Sequence, residues 1–317
     1  MQPTRCMQQR PPQLETQVKR ALLLVNRRAR RGSAPIADAL DLLRSGGLDV
    51  IAPAISDRAA IADSIRTHAR DVDLVIVGGG DGTMNAAAPG LVETGLPLGI
   101  LPLGTANDLA RTLALPLTPV EAARVILAGN TRRLDLGEVN GHLFFNVASI
   151  GFSAKLARGL TGEAKKRWGT FGYAVAAAQL LTESRPFTVY IDHDGSTEEV
   201  RTVQISVGNG RFYGGGMTVE DTAQPDDGRL DVYSLEVRHW TELLALLPSL
   251  RRGTHGRWKN VRAFGTTALT LRTPREHEIN ADGELVTTTP AYFRIRHAAV
   301  AVFIPPGSKH PDNARRT

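Results

Sequence analysis

The sequence predicts an α/β protein in two parts: an N-terminal doubly wound parallel α/β domain and a C-terminal β-rich domain, antiparallel and sandwich-like, with a helical insertion. Three observations carry this. Strand-like apolar runs alternate with helical patterns from about residue 20 to residue 130, as in a parallel sheet with crossover helices. From "RRLDLGEVNGHLFFNVASIGF" onward, β-like runs are joined instead by tight turns, at Asn140 and Gly141 and later near Asp194 and Gly195. Between these hairpins lies one long helical stretch, "KLARGLTGEAKKRWGTFGYAVAAAQLLTES". With 317 residues, 42% of them hydrophobic, the chain can build two ordinary cores.

Each element has a local reason. "RALLLVN" is a first strand, ending at Asn26 and followed by the basic loop "RRARRG" and the helix "APIADALDLLRSGG". "LDVIAPA" and "RAAIADSIRTHA" repeat the pair. The unalternating run from Leu74 to Val77 suits a strand covered on both faces, and the helix after it is expected from Thr83. "LPLGILPLGT" meets "ANDLARTLAL", and Thr118, Pro119 and Glu121 read as a capping-box start for "PVEAARVILAG", which stops at Gly129. In the second half, strands are expected at "RLDVYSLEV", "ALTLRTP", "HEINADGE", "AYFRIRH" and "AVAVFIPP", with a helix at "TELLALLPSLRR". This divides the chain into an α/β domain over 18–135 and a β-rich domain over 136–299, with flexible tails at 1–17 and 308–317. No long linker separates the halves, so they are expected to pack around a cleft.

Composition narrows the function. Lys plus Arg number 38 against 32 Asp plus Glu, a net +6 that is scattered along the chain, and aromatics are 5%. Few stacking platforms and no recognition fingerprint speak against nucleic acid as a partner. Cys6 is the single cysteine, which rules out a disulfide framework or a cysteine zinc site and fits a cytoplasmic protein. The longest apolar stretch, "YAVAAAQLL" at 173–181, is far short of the roughly 20 residues of a membrane span, so membrane contact is expected to be peripheral.

The chemistry concentrates in four places. "GGGDGT" sits at a strand-to-helix turn, where glycine lets a guest approach the main chain and the helix points free N–H groups at it, which suits phosphate. It lacks the lysine of the GxxxxGK[ST] loop and the third glycine of GxGxxG. Asp81 among phosphate-binding amides would repel phosphate unless a divalent cation lies between, which implies Mg²⁺. "LPLGTAND" repeats the arrangement, so that Thr83 and Thr105 are expected to face one ligand, while Asn107 and Asp108 read equally as helix caps. "EINADGELV" sets Asp282 and Glu284 two apart around Gly283, either as hairpin-tip acids or as a general base for a hydroxyl attacking phosphorus. "AQPDDGRLDV" is a turn whose carboxylates and carbonyls suit a hard cation. No HExxH or GxSxG pattern supports zinc or serine hydrolysis.

"GGGDGTMN", "PLGTANDLAR", "GNGRFYGGGM", "DDGRLDV" and "NADGE", in this order from about residue 20 to 307, resemble the diacylglycerol kinase catalytic superfamily, in particular the bacterial soluble, YegS-like lipid kinases. The resemblance implies Mg-ATP as donor, a membrane lipid hydroxyl as acceptor, and an active site between the two domains. By motif it implies ATP contacts from Asn26, Gly79, Gly80, Asp81, Gly82, Thr83, Met84, Asn85 and Thr105, with Asp81 near the nucleotide's magnesium. Asp282 matches the family's proton acceptor, and Glu284 an acid that takes or supports that role in some relatives. "QPDDGRL" matches a structural magnesium site, with Asp227 as a side-chain ligand and Gln224 and Arg229 as backbone ligands. Residues 300–307 are expected to return to the N-terminal domain. One departure is the "RRARRG" loop after Asn26, where relatives carry Asn, Pro and a small residue; its four arginines read as phosphate contacts or as solvated charges.

A lipid acceptor requires contact with a bilayer, at the inner face of the membrane for a cytoplasmic enzyme. "GEAKKRWGTFGY", with Lys165, Lys166, Arg167, Trp168 and Phe171, reads as a docking loop or as an ordinary helix connection. A homodimer is compatible with the chain. The competing readings are a kinase of a soluble acceptor, as in NAD kinases, and a non-catalytic nucleotide- or lipid-binding regulator.

Overall fold

The computed structural model describes residues 19–25, 34–55, 57–152, 154, 185–210, 212–213, 217–218, 224–237, 242, 258 and 260–307. Asn26 and its arginine loop, the stretch 155–184 with its expected docking residues, nearly all of the expected helix at 241–252, and both tails lie outside the described residues.

The first half alternates β1 (Arg20–Val25), α1 (Ala34–Ser45), β2 (Asp49–Ile51), α2 (Ala60–His68), β3 (Leu74–Gly79), α3 (Asp81–Thr94), β4 (Leu98–Pro102), α4 (Asp108–Thr112) and α5 (Pro119–Ala128). The strands lie side by side in the order β2-β1-β3-β4, all parallel. Because successive side chains of a strand point to opposite faces, the same runs supply both cores. Leu22, Leu24, Val75, Val77, Leu98 and Ile100 pack beneath α2 and α3, while Ala21, Leu23, Leu74, Ile76 and Leu101 pack against α1 and α5.

The second half is built from β5 (Thr131–Val139), β6 (His142–Phe144), β7 (Val147–Gly151), β8 (Phe187–His193), β9 (Ser196–Thr202), β10 (Gln204–Gly208), β11 (Phe212–Tyr213), β12 (Met217–Thr218), β13 (Leu230–Leu235), β14 (Val261–Thr266), β15 (Ala268–Arg272), β16 (Glu278–Ala281), β17 (Glu284–Thr288) and β18 (Ala291–Phe303). A six-stranded antiparallel sheet runs β14-β13-β10-β7-β16-β17. It faces β18, β15, β8 and β9 across a shared apolar layer that includes Ile150, Ile205, Val207, Val232, Ile279, Ile191, Leu271 and Phe293. This is the sandwich expected from the sequence. The parallel strands and the outer layer of the sandwich belong to one ten-stranded sheet, joined through β18.

The turns follow their sequences. Asn140 (φ 47°) and Gly141 (φ 87°) connect β5 to β6, Asp194 (47°) and Gly195 (76°) connect β8 to β9, and Asp282 (47°) and Gly283 (93°) connect β16 to β17. Two successive left-handed residues match the twist of an antiparallel pair, and Asn-Gly or Asp-Gly adopts them at least cost.

Three local expectations are corrected. The helix after the glycine turn begins at Asp81 rather than Thr83, which puts Asp81 and Gly82 in its first turn. Thr118 is the N-cap of α5 with an extended backbone but makes no side-chain capping bond, so Pro119 and packing start that helix. "AYFRIRH" and "AVAVFIPP" form one strand, β18, with a bulge: Arg296 faces Leu136 whereas Val300 faces Leu134, and Ala298 sits at φ 47°. Two extra residues therefore loop out while the pairing to β5 resumes on both sides. The far end of β18 then pairs in parallel with β4, Val302 opposite Leu98.

Candidate active site

The glycine turn is shaped by close packing rather than by unusual dihedrals, since none of its glycines has a positive φ. A Cβ on Gly79 would collide with the Thr83 side chain, and one on Gly80 would lie 3.0 Å from the Gly104 Cα. The second loop closes from the other side: a Cβ on Gly104 would lie 2.5 Å from the Gly80 Cα, and the Leu103 N–H donates to the Gly79 carbonyl at 2.9 Å. The two strand-to-helix loops thus touch backbone to backbone, the close approach that only glycine permits. Asn107, at φ 52°, hooks the second loop by accepting the Gly104 N–H at 2.9 Å and donating to the Gly104 carbonyl at 3.0 Å.

Asp81 reaches between the loops. Its Oδ1 accepts the Leu109 N–H at the start of α4, at 3.0 Å. The expectation that Thr83 and Thr105 share one exposed face meets a division of roles: Thr105 is exposed, whereas Thr83 and Met84 are buried in the first turn of α3.

The β16–β17 hairpin meets this wall from the other domain. The Asp282 carboxylate turns inward and accepts three backbone N–H groups, from Phe145 at 2.7 Å and from Asn146 and Val147 at 3.0 Å. Burial pushes its carboxyl up to about 7; the three N–H groups pull it down, and the like charge of Asp81 adds to the rise. Asp81 and Asp282 are therefore electrostatic neighbours. Glu284 emerges on the solvent side of the same tip, ion-paired with Arg58, and its Oε1 would lie 3.2 Å from a Cβ on Gly82. Beside the hairpin, the amide oxygens of Asn146 and Asn209 are buried and accept no hydrogen bond from the described residues, leaving acceptors for a guest that donates hydrogen bonds or carries positive charge.

The acidic turn forms a second cluster. Asp135, at 1% exposure, accepts the Gly228 N–H at 2.7 Å and the Ala298 N–H at 2.6 Å, and its N–H donates to the Pro225 carbonyl at 2.7 Å. Asp227 accepts the Arg229 N–H at 3.0 Å, and Asp226 pairs with Arg132. Burial first, with Asp135 and Asp226 contributing, raises Asp227, and Asp231 is pushed up to about 6 by burial and by Asp227. The Gln224 Oε1 is buried without a hydrogen-bond donor among the described residues. Crowded carboxylates, turn carbonyls and a spare amide oxygen fit a hard divalent cation. Among the described residues no three His, Cys, Asp or Glu side chains form a ligand set by themselves, so main-chain carbonyls such as those of Gln224 and Arg229 would have to share in holding it.

The fold therefore brings the turn from Gly79 to Asn85 beside the loop that carries Thr105, through Gly80 and Gly104, and beside the hairpin of Asp282 and Glu284, through Gly82, with Thr83 and Met84 buried under the turn; Gln224, Asp227 and Arg229 lie together in a separate turn. Sequence reasoning missed Arg58, Asn107 as a hook, and Asp135. Arg58 had no signal, because only the tertiary fold brings "SDRAA" to the hairpin tip. Asp135 was readable only as a strand residue.

A parallel α/β domain, a β-sandwich and a glycine-lined turn facing carboxylates define a two-domain phosphotransferase. The comparisons agree. The family model for the diacylglycerol kinase catalytic domain matches residues 20–139, and that for the YegS C-terminal NAD kinase beta sandwich-like domain matches residues 146–304. A diacylglycerol kinase of Mycobacterium tuberculosis (strain ATCC 25618 / H37Rv) is 32% identical over 280 residues, 84% of this chain and 88% of that protein. A probable YegS-like lipid kinase of Pseudomonas aeruginosa PAO1 is 33% identical over 236 residues, covering 74% and 77% of the two chains. A crystal structure of a proposed diacylglycerol kinase from Bacillus anthracis str. Sterne superposes with a TM-score of 0.78 at 26% identity, over 91% of this chain and 97% of that one. The chain belongs to the diacylglycerol kinase family, whose members are phosphotransferases with an alcohol group as acceptor.

Proposed function

We propose that the protein is an ATP- and Mg²⁺-dependent lipid kinase that phosphorylates a hydroxyl of a membrane lipid such as diacylglycerol. The observation that carries this reading is the meeting of Glu284, from the C-terminal domain, with Gly82, in the phosphate-type turn of the N-terminal domain. The turn from Gly79 to Asn85, through the amides at the start of α3, and the loop at Thr105 hold the donor's phosphates, while Thr83 and Met84, whose N–H groups donate to the Gly80 carbonyl, support the turn from within; Asn26, outside the described residues, is a further proposed nucleotide contact. Asp81 would hold a Mg²⁺ ion that would neutralise charge on those phosphates, and the Asp227 carboxylate with the main-chain carbonyls of Gln224 and Arg229 would hold a second cation in the acidic turn.

The acceptor oxygen attacks the terminal phosphorus, the bond from that phosphorus to the ADP oxygen breaks, and the hydroxyl proton passes to a carboxylate. We assign that acceptor role to Glu284, which is half exposed, while both Asp282 oxygens already bind backbone N–H groups and hold the hairpin in place. Positioning of donor and acceptor in such a cleft is worth about 7 to 11 kcal/mol of the barrier. The lipid is reached by peripheral contact at the inner face of the membrane; among the described residues no helix is long and apolar enough to cross one.

One observation favours a second reading, a soluble acceptor: the C-terminal half matches a sandwich described as NAD kinase-like. Incubation with Mg-ATP and either NAD or a panel of hydroxylated lipids, resolved by mass spectrometry, separates the two. The expected product is a phospholipid; phosphorylated NAD without lipid product overturns the proposal. Glu284→Gln is expected to lose at least about 100-fold in turnover while still binding ATP, as read by single-turnover kinetics beside a direct binding titration.

A further inference from the structure

Arg58 is absent from every motif of the chain, yet its guanidinium stands beside Gly82 and Glu284. Its backbone is fixed: Asp57 Oδ1 accepts the Ala60 N–H at 3.1 Å, and the Arg58 carbonyl accepts the Ile61 N–H at 3.1 Å. The helix that follows, α2, is clamped to α3. Arg66 donates to both Glu93 oxygens at 2.6 and 2.7 Å, and Gly90 lies so close that a Cβ there would meet the Ala62 carbonyl at 2.8 Å. Arg58 and the glycine turn therefore belong to one rigid unit, while Glu284 comes from the other domain.

The guanidinium occupies the space beside Gly82 that any side chain there would need. That place is the first turn of the 14-residue α3, where free N–H groups already make the potential positive. A cation is disfavoured there unless an anion accompanies it, and Glu284 supplies the anion. The pair is weakly held, because its side chains are 48% and 46% exposed, and exposed pairs of this kind contribute little. A phosphate at the same turn offers a guanidinium more oxygens in a fork geometry than one carboxylate does.

Resting on the kinase reading, we propose that Arg58 is a phosphate-binding arginine kept in place by Glu284, which exchanges that carboxylate for the terminal phosphate of the nucleoside triphosphate when the donor binds. The exchange moves no proton. It frees Glu284 at the moment the acceptor hydroxyl needs it, so that base and donor become available together.

The test is direct binding of Mg-ATP and Mg-ADP, by calorimetry, to wild-type protein, Arg58→Ala, Arg58→Lys, Glu284→Gln and the Arg58→Ala/Glu284→Gln double variant, each checked for folding by circular dichroism. Arg58→Ala is expected to weaken ATP by about tenfold or more and ADP by less than about twofold, with partial recovery in Arg58→Lys. Glu284→Gln, which removes the competing carboxylate, is expected to tighten ATP a few-fold, and this gain is expected to vanish in the double variant. Equal changes for ATP and ADP, or none, overturn the exchange and leave Arg58 a structural cross-link. If wild-type protein binds neither nucleotide, the kinase reading falls with it, an outcome distinct from a wild type that discriminates and an Arg58→Ala variant that does so equally well.

Discussion

Asp282 is a carboxyl caught between opposing forces: burial favours its neutral form, and three backbone N–H groups favour the charged one. Burial wins, lifting it to about 7. The folded protein then holds a proton there that the unfolded chain releases near pH 4. Its contribution to stability is fully present below that lower value and is lost as pH rises through about 7. Chemical denaturation between pH 4 and 7 should show wild type losing stability with pH more steeply than Asp282→Asn, by at most about 1.4 kcal/mol per unit; parallel profiles would contradict this. "NADGE" announced two acids at a turn, but not that one would be spent on the β6–β7 backbone while the other stayed exposed and paired with Arg58. Contact with Phe145 to Val147 comes from 135 or more residues away and leaves no local trace.

At the scale of elements, the two strand-to-helix loops act as one wall because Gly80 and Gly104 meet without side chains. Gly104→Ala drives a Cβ into the Gly80 backbone, which cannot rotate away, and into the Asn107 side chain, which can move only by breaking its two hydrogen bonds to Gly104. A loss of about 2 kcal/mol is expected in the unfolding free energy measured by denaturant titration. Gly82→Ala instead meets the flexible end of Arg58, so its stability cost should be smaller while the pair with Glu284 breaks. The alternation of strands and helices was legible because apolar periodicity is local, and the three left-handed turns because Asn-Gly and Asp-Gly encode their own geometry. At the glycine turn the sequence pointed to a close approach of the main chain, and the structure shows that the Gly104 loop makes one, which no local pattern could reveal. The continuity of β18 was not legible, since "RHAAVA" looks like a break until β5 is seen to pair on both sides of the bulge.

At the scale of the molecule, β18 makes the two domains one mechanical object. It pairs with β15 inside the sandwich layer, with β5 along most of its length, and with β4 at the edge of the parallel strands. Calorimetry should therefore show one cooperative transition rather than two. Val302→Asp, which places a charge at a fully buried position of this junction, should lower stability by at least about 3 kcal/mol and disturb both halves in hydrogen exchange. The same junction has a biosynthetic consequence. On the ribosome, β4 is translated long before its neighbour Ala291–Phe303 leaves the exit tunnel, so the nascent chain carries a bare, apolar strand edge that can be captured by a like edge on a neighbouring polysome. Cellular yield should accordingly depend on holdase chaperones that cover Leu98–Pro102 until the final strand arrives.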